Sequence, residues 1–386
     1  MIYLNNAATS WPKPESVYQA ADQALRCFNE SPGRASNHQG QLASPERALL
    51  EARELLAQLF NIGQPENIVF TANATEALNT VIRGLLGPGD HMVISSMEHN
   101  SVARPAWALK ASGVEVTIAE CAPDGSLDPK VLEACLRPQT KLVALTHASN
   151  VTGTIMPVAE VGEMLAQHKP KPLFLVDAAQ TAGELPIDVE AANIDFLAFT
   201  GHKALFGPPG TGGLYLRHPE AVKPLKYGGT GTQSELTTQP PFLPDKFESG
   251  TPNAPGIAAL AAGVKFVCQV GIEAIRRQGE ELTGLLLEGL QTIPEVTVYG
   301  PKDPARQVPV VSINLAGLSA GEAAAWLAEK YEIITRSGLH CAPLAHRTIG
   351  TLEQGTLRLS LGFFNRPAEI RTLLSALREL VQIAKP

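Results

Sequence analysis

A regular alternation of short apolar runs and helix-like stretches between residues 65 and 216 constrains the fold more than any other feature. Amphipathic segments at residues 75–86, 101–111 and 158–168 separate some of the runs, and Pro129 marks a further helix start. Alternating strands and helices are typical of a mainly parallel sheet covered by helices on both faces. We therefore predict an α/β fold with seven strands, at residues 67–70, 91–95, 114–118, 141–146, 172–176, 196–199 and 213–216.

The chain changes character between residues 228 and 255, where glycine, threonine, glutamine and proline are frequent. A loop of this length is usually functional, and we place the end of a large domain there. We assign residues 15–255 to this large domain, and residues 1–14 together with 256–386 to a small domain. A smaller α+β domain is predicted from helical patterns and short strands at residues 256–270, 271–291, 296–299, 309–315 and 368–384.

Length and composition restrict the classes of protein that remain. A chain of 386 residues exceeds the size at which a single core usually stops growing, which fits two domains. The net charge of −7 argues against nucleic-acid binding, which requires a basic surface. We see no signal-peptide pattern and no run of roughly 18 apolar residues, so we expect no membrane partner. Five cysteines, few and odd in number, indicate a cytoplasmic protein without a disulfide framework.

A lysine-containing loop follows the strand predicted at residues 196–199. It includes Gly201-His202-Lys203 and further glycines at positions 207 and 210. Open α/β folds bind ligands at the edge of the sheet where such a loop lies. A lysine that forms a Schiff base must lose its proton, which burial and nearby cations favour. The loop therefore makes Lys203 a candidate for covalent cofactor binding, although a solvated loop lysine gives the same pattern.

An acidic residue ends the strand before the lysine loop. Asp177 lies 26 residues before Lys203 with one strand between them, so we expect the two to face one pocket from neighbouring strand ends. Pyridoxal 5′-phosphate (PLP) is bound by a lysine Schiff base, and an adjacent carboxylate keeps its ring nitrogen protonated. Asp177 suits that role, and the alternative is a carboxylate that caps the next turn.

Two further positions could complete a PLP site. Asn73 and Glu76 resemble a capping box at a helix start, and the free amide groups and dipole of such an end attract phosphate. His99 follows the next strand and could lie flat on the cofactor ring. An ordinary helix cap and a structural histidine would leave the same pattern.

A cysteine and an arginine stand out in the small domain. Cys341 follows His340 in a predicted loop, where positive surroundings would favour a reactive thiolate. Arg358 lies in a strand-like run, which suits bidentate binding of a substrate carboxylate. An ordinary salt bridge is the alternative for Arg358.

These stretches together resemble fold-type I PLP enzymes of the class-V aminotransferase group, and specifically the cysteine desulfurases. The resemblance covers nearly the whole chain and its motifs come in the family's order. It is carried by Glu98-His99, by Arg358, and by residues 3–9, 149–154, 176–180, 201–203, 248–253 and 336–341.

The resemblance implies a role for each candidate residue and no metal site. Lys203 would be the Schiff-base lysine, Asp177 the partner of the ring nitrogen, His99 a catalytic and stacking residue, and Gln180 a donor to the phenolic oxygen. The other cofactor-binding residues would be Ala74, Thr75, Thr200, His202 and, from a second subunit, Thr251. The substrate-binding residues would be Ala8, Asn150, Arg336 and Arg358.

The resemblance also implies a reaction and partners. L-Cysteine would displace Lys203 from the cofactor, the freed lysine would remove the α-proton, and the Cys341 thiolate would attack the substrate sulfur. The products would be L-alanine and a persulfide on Cys341, passed to a sulfur-acceptor protein. A homodimer with shared active sites is implied, and residues 31–38 would line the substrate entrance.

Other functions stay open at this point. The short run from Arg336 to Cys341 resembles a compact-loop group that includes selenocysteine lyases, so selenocysteine or another amino acid is an alternative substrate of a PLP lyase or aminotransferase. A non-enzymatic scaffold is disfavoured because Lys203, Asp177 and His99 are all present. A dinucleotide-binding enzyme is disfavoured because no Gly-x-Gly-x-x-Gly motif follows the first strand.

Overall fold

The computed structural model describes residues 1–28 and 44–384, so the predicted entrance segment 31–38 lies outside the described residues. The strands are β1 (Ile2–Tyr3), β2 (Ile68–Thr71), β3 (His91–Ser95), β4 (Glu115–Ala119), β5 (Thr140–Thr146), β6 (Leu173–Asp177), β7 (Phe196–Thr200), β8 (Gly212–Leu216), β9 (Val296–Tyr299), β10 (Val310–Leu315), β11 (Ile333–Ile334), β12 (Arg336–Gly338) and β13 (Thr356–Ser360). The helices are α1 (Glu15–Cys27), α2 (Pro45–Phe60), α3 (Ala74–Leu85), α4 (Asn100–Lys110), α5 (Pro129–Glu133), α6 (Val158–Ala166), α7 (Ala254–Val270), α8 (Ile272–Gln291), α9 (Ala320–Tyr331), α10 (Pro343–Thr348) and α11 (Pro367–Ala384).

A seven-stranded sheet forms the centre of the fold, in the order β2-β8-β7-β6-β5-β3-β4. Neighbouring strands from β4 to β7 are parallel, whereas β8 runs antiparallel to both β2 and β7. Each of the seven predicted strands is present in this sheet within two residues at either end. The predicted α/β fold with a mainly parallel sheet of seven strands is therefore confirmed.

Helices cover both faces of this sheet, as the apolar strands require. Phe174 and Val176 point to the face covered by α6, and Leu175 between them points to the face covered by α3 and α4. Successive side chains of a strand alternate between faces, so a strand buried on both sides reads as one continuous apolar run. Full burial of each large side chain contributes roughly 1.5–3 kcal/mol.

The parallel strands bring their carboxyl ends to one edge of the sheet, where ligands bind in such folds. Glu98 joins two of these ends, because its Oε1 accepts hydrogen bonds from Ser95 Oγ at 2.6 Å and from the amide of Thr146 at 2.9 Å. Burial raises the pKa of Glu98 to about 8, against the opposing effect of these hydrogen bonds. A protonated carboxyl thus holds β3 and β5 together beneath the edge.

A second sheet is antiparallel, in the order β12-β13-β10-β9, and packs against α8, α9 and α11 through a leucine-rich cluster. Strand β1 pairs with β11, so the first residues associate with this part of the chain. Helix α7 begins at Ala254 rather than at the predicted Gly256, because Asn253 caps it by accepting from the Gly256 amide at 3.1 Å. The domain boundaries themselves stay a prediction.

Within residues 1–28 and 44–384, no single helix is long and apolar enough to cross a bilayer. Helices α7 and α8 meet the criterion only as a pair bent by 80°. Leu260 and Val264 of α7 are fully buried in the protein, which accounts for the apolar character of that helix.

Candidate active site

An open cleft with an empty volume of about 750 Å³ lies at the carboxyl edge of the seven-stranded sheet. Its walls come from both sheets, from the N-termini of α3 and α4, and from the first residues of the chain. The cleft brings together most of the predicted site residues, namely Ala8, Ala74, Thr75, His99, Asn150, Asp177, Gln180, Thr200, His202, Lys203, Arg336 and Arg358.

Two predicted residues lie outside the walls of this cleft. Cys341 lines an adjoining groove, which it shares with Thr75, His99 and Asn100. Thr251 is exposed, near the end of the extended loop of residues 228–255, and lines neither space. The assignment of Thr251 to the site of a second subunit stays a prediction.

Lys203 and Asp177 face the cleft from neighbouring strand ends, as their spacing predicts. Strands β6 and β7 are paired in parallel, with Asp177 opposite Ala198. Burial lowers the pKa of Lys203 to about 8, against the opposing charge of Asp177. Burial raises the pKa of Asp177, whereas the Ala179 amide and the charge of Lys203 lower it. Asp177 also caps the next turn, accepting from the Ala179 amide at 2.9 Å, so the alternative role is present as well.

The lysine loop is held by the N-terminal segment of the chain. The His202 carbonyl accepts hydrogen bonds from the Ser10 amide at 2.9 Å and from Thr9 Oγ1 at 3.0 Å. Gly201 admits no side chain, since a Cβ there would lie 2.1 Å from Thr211 Oγ1. Burial lowers the pKa of His202 to about 4, and its buried Nδ1 has no partner among the described residues.

The N-terminus of α3 forms the side of the cleft suited to phosphate. Asn73 caps the helix, accepting from the Glu76 amide at 3.0 Å. A capping box also requires the Glu76 side chain to accept from the Asn73 amide, and this part of the prediction is wrong. Glu76 instead accepts from the Ala72 amide at 2.7 Å, and its carboxylate also pairs with Lys226. The amide groups of a helix's first turn have no partner within the helix, so those of α3 can bind an anion.

His99 is the N-cap of α4, and its ring is neutral. Nδ1 accepts from the Ser101 amide at 3.1 Å, which places the ring proton on Nε2. Burial and the charges of Lys203 and Arg336 lower the pKa of His99 to about 4. Ser101 Oγ contacts this ring and also lies 2.7 Å from Thr75 Oγ1, so Ser101 links His99 to Thr75. The sequence patterns did not lead us to predict Ser101 as a site residue. Its position two residues after a strand-end histidine, at a helix start, was the available signal.

Two guanidinium groups lie side by side at the opposite wall. Arg336 of β12 is directly opposite Arg358 of β13, and neither forms an ion pair with a carboxylate in the described part of the chain. Arg358 is 1% exposed and donates to the Asn150 carbonyl at 2.9 Å and to Asn5 Oδ1 at 3.2 Å, while its Nε has no partner there. Paired cations on the wall of a cleft can bind a substrate carboxylate.

The cysteine loop joins this wall to the large sheet. Arg336 Nη2 donates to Cys341 Sγ at 3.5 Å, and the Asn100 amide donates to the Cys341 carbonyl at 2.8 Å. Asn150 Nδ2 donates to the His340 carbonyl at 2.7 Å. The thiol is exposed, so it is available for reaction beside a guanidinium that can stabilise a sulfur anion.

Polar residues of the remaining walls complete the site. Gln180 Nε2 donates to the Ala7 carbonyl at 3.2 Å, which fixes its amide at the base of the cleft. The hydroxyl of Thr200 is buried at the end of β7. Among the described residues, no group of three or more His, Cys, Asp or Glu side chains could hold a metal ion.

Comparison with known proteins gives one consistent family. The family model for class-V aminotransferases matches residues 2–373. A probable cysteine desulfurase of Methanothermobacter thermautotrophicus is 35% identical, with 98% of this chain and 94% of the relative covered. A cysteine desulfurase of Klebsiella pneumoniae (strain 342) is also 35% identical, over 98% of this chain and 93% of the relative.

Solved structures agree with this result. The apo structure of a cysteine desulfurase from Thermococcus onnurineus NA1 superimposes with a TM-score of 0.88 at 34% identity, covering 99% of this chain and 94% of the other. The cysteine desulfurase CsdA of Escherichia coli superimposes with a TM-score of 0.86 at 29% identity, over the same shares of the two chains.

Proposed function

Because this chain belongs to the class-V aminotransferase family, we propose that it is a cysteine desulfurase that converts L-cysteine to L-alanine and retains the sulfur on Cys341. One contact supports this proposal above all others. Arg336 lines the cleft that holds Lys203 and also donates to Cys341 Sγ at 3.5 Å, so the thiol lies at the mouth of the lysine site.

The family uses PLP, and the side chains of the cleft fit that cofactor. Lys203 would hold its aldehyde carbon, Asp177 its ring nitrogen and the first turn of α3 its phosphate. The buried Nδ1 of His202 is unpartnered among the described residues and is free to contact it. When bound, PLP supplies an electron-poor ring that accepts the electron pair left by breaking a bond at the substrate Cα.

The protein's own groups then bind and deprotonate the substrate. Arg358 and Arg336 bind the carboxylate, and Asn150 joins them from the facing strand end. The Lys203 amine, with its pKa lowered to about 8 by burial, is suited to remove the Cα proton near neutral pH. Neutral His99 would lie against the cofactor ring without adding a charge.

Cys341 receives the sulfur. Its Sγ attacks the substrate sulfur, and an S–S bond forms as the substrate C–S bond breaks. The electron pair of the broken bond stays with carbon, which takes up a proton to become the methyl group of alanine. The thiol of Cys341 and L-cysteine thus give a persulfide and L-alanine without an external oxidant, and an acceptor protein takes the sulfur.

The proposal includes a homodimer in the cytoplasm. Thr251 is exposed within the extended loop, where Leu236 and Phe242 are also exposed and Tyr227 is exposed just before it, and this surface suits contact with a second copy. A reducing compartment keeps the thiol of Cys341 available for turnover.

Product analysis tests the proposed function. Purified protein is incubated separately with L-cysteine, L-selenocysteine and L-cysteine sulfinate, and alanine is measured. We expect alanine from L-cysteine, and we expect Cys341→Ala to abolish it while keeping the visible absorbance of the lysine-bound cofactor. Cys268→Ala, at another exposed thiol, is the matched control and should retain full turnover. Full turnover of L-cysteine by Cys341→Ala would show that the assignment of Cys341 is wrong.

A further inference from the structure

The backbone at the cysteine loop adopts an unusual conformation. His340 and Cys341 are consecutive and both left-handed, with φ of 48° and 60°. This region is unfavourable for residues with a side chain, so surrounding contacts must hold it. Asn150 and Asn100 hold the two carbonyl groups. The conformation of the His340 ring needs a restraint of its own.

A chain of hydroxyl groups fixes the protonation of that ring. Ser312 Oγ donates to the Val151 carbonyl at 2.6 Å, and Thr356 Oγ1 donates to Ser312 Oγ at 3.1 Å. Thr356 has then used its only proton, so His340 Nε2 must donate to it across 3.0 Å. Nδ1 of His340 is therefore a bare acceptor. It is buried and has no partner among the described residues.

A second buried histidine lies against the first. The ring of His346 is 0% exposed, and its centroid is 5.5 Å from that of His340. Nδ1 of His346 is 2.7 Å from Thr351 Oγ1, while its buried Nε2 has no partner in the described segments. A buried polar atom without a partner is costly, and here two such atoms lie on adjacent rings.

We propose that His346 is a positioning residue for Cys341, and that its Nε2–H and the bare Nδ1 of His340 share one buried water molecule. Such a water accepts from the first nitrogen and donates to the second, so both are satisfied. Thr351 then donates to Nδ1 of His346. The inference rests on the proposed role of Cys341 in sulfur transfer.

The protonation states agree with a neutral pair. Burial, with the charges of Arg358, His346 and Arg336, lowers the pKa of His340 to about 2. Burial lowers the pKa of His346 to about 4, against the opposing effect of the Thr351 backbone, which raises it. Both rings are therefore neutral above pH 5, and a neutral donor faces a neutral acceptor.

The position of His346 explains how it acts on the sulfur. It lies on α10, which begins two residues after Cys341, and its amide donates to the Ala342 carbonyl at 3.2 Å. His346 does not line the cleft, so it touches neither substrate nor cofactor. Loss of the water would leave the His340 ring held by Thr356 but not at Nδ1, and this would allow the two left-handed residues to relax.

A crystal structure at high resolution is the direct test. We expect one ordered water within hydrogen-bonding distance of both His340 Nδ1 and His346 Nε2. A dry site, or a direct bond between the two nitrogens, would overturn the proposal. This measurement does not depend on activity, whereas a wild-type protein that forms no alanine would instead disprove the proposed function.

Variants test the effect on the cysteine. His346→Phe should slow single-turnover sulfur transfer to Cys341 at least tenfold, with the KM for L-cysteine and the cofactor absorbance unchanged. His346→Gln keeps a donor and should recover most of the rate. The control is His91→Phe, at a buried histidine of the large sheet whose nitrogens both contact threonine hydroxyls. Wild-type transfer by His346→Phe would refute the positioning role, and if that variant does not fold, a tenfold loss in His346→Gln would refute the donor role.

Discussion

Arg336 and Cys341 are in direct contact, with Nη2 of the arginine donating to Sγ of the cysteine at 3.5 Å. The register of β12 with β13 places this arginine beside Arg358, so one side chain touches the thiol and lines the cleft. In the proposed reaction, substrate binding and sulfur transfer therefore share this residue.

Arg336→Leu should lower the reactivity of Cys341. A partly exposed charged contact contributes about 1 kcal/mol, so we expect the rate of alkylation by iodoacetamide to fall roughly fivefold. Peptide mass spectrometry measures the rate, and the exposed thiols of Cys27 and Cys268 in the same sample are internal controls. An unchanged ratio of Cys341 to Cys268 alkylation would mean that the contact has no influence on the sulfur.

Arg358→Lys should weaken substrate binding while leaving cofactor uptake intact. Burial and the charge of Arg336 lower the pKa of Arg358, yet a guanidinium stays charged at neutral pH. Lysine keeps the charge but loses the planar fork, and a charge-assisted hydrogen bond contributes about 1.5–3 kcal/mol, so the KM for L-cysteine should rise roughly 10- to 100-fold. Steady-state kinetics with an absorbance scan check this. A normal KM would place the carboxylate elsewhere.

Glu98 should make stability fall as pH rises. Burial raises its pKa from 4.5 to about 8, so the folded chain binds this proton more tightly than the unfolded chain. The stabilisation from this proton is fully present below pH 4.5 and is lost as the pH rises to 8. Over this range the free energy of unfolding falls by up to about 1.4 kcal/mol per pH unit. Urea denaturation at several pH values measures the effect.

Glu98→Gln replaces the titrating carboxyl with an amide and should flatten the pH dependence of the free energy of unfolding. Glu54→Gln, at an exposed position on α2, should leave the slope as in the wild type. Equal slopes for wild type and Glu98→Gln would show that another group controls the pH dependence.

Glu248→Gln should destabilise the fold near the extended loop. Arg53 Nη2 lies 2.6 Å from both carboxylate oxygens of Glu248, and the Phe70 amide donates to the same group at 2.6 Å. Both side chains are about nine-tenths buried, at 10% and 12% exposure. An unpaired buried Arg53 costs roughly 3–5 kcal/mol in the free energy of unfolding, and Arg53→Met with Glu248→Leu should recover much of it. A loss below 1 kcal/mol would contradict this account.

The large sheet and the lysine pair could be predicted because their signals are local. Strand β6 is an apolar run that ends in Asp177, and the next strand leads directly into Lys203. Because the two strands pair in parallel, Asp177 and Lys203 must lie at the same edge of the sheet, and this does not depend on how the side chains pack.

The contacts around the cysteine could not be predicted, because they depend on register between distant segments. Hydrogen bonds run from His340 to Thr356, from Thr356 to Ser312, and from Ser312 to the Val151 carbonyl. No regular spacing in the sequence connects these four positions. The pairing of Arg336 with Arg358 likewise follows only from the antiparallel alignment of β12 and β13. The hydrogen bond that Glu76 accepts from the Ala72 amide, rather than from that of Asn73, likewise depends on the conformation of the turn before α3.

The mass of the Cys341 peptide after incubation with L-cysteine tests the central claim most directly. We predict one added sulfur atom on this peptide, none on the Cys268 peptide, and one alanine for each sulfur gained when no acceptor is present. Alanine formed while the Cys341 peptide keeps its original mass would contradict the account.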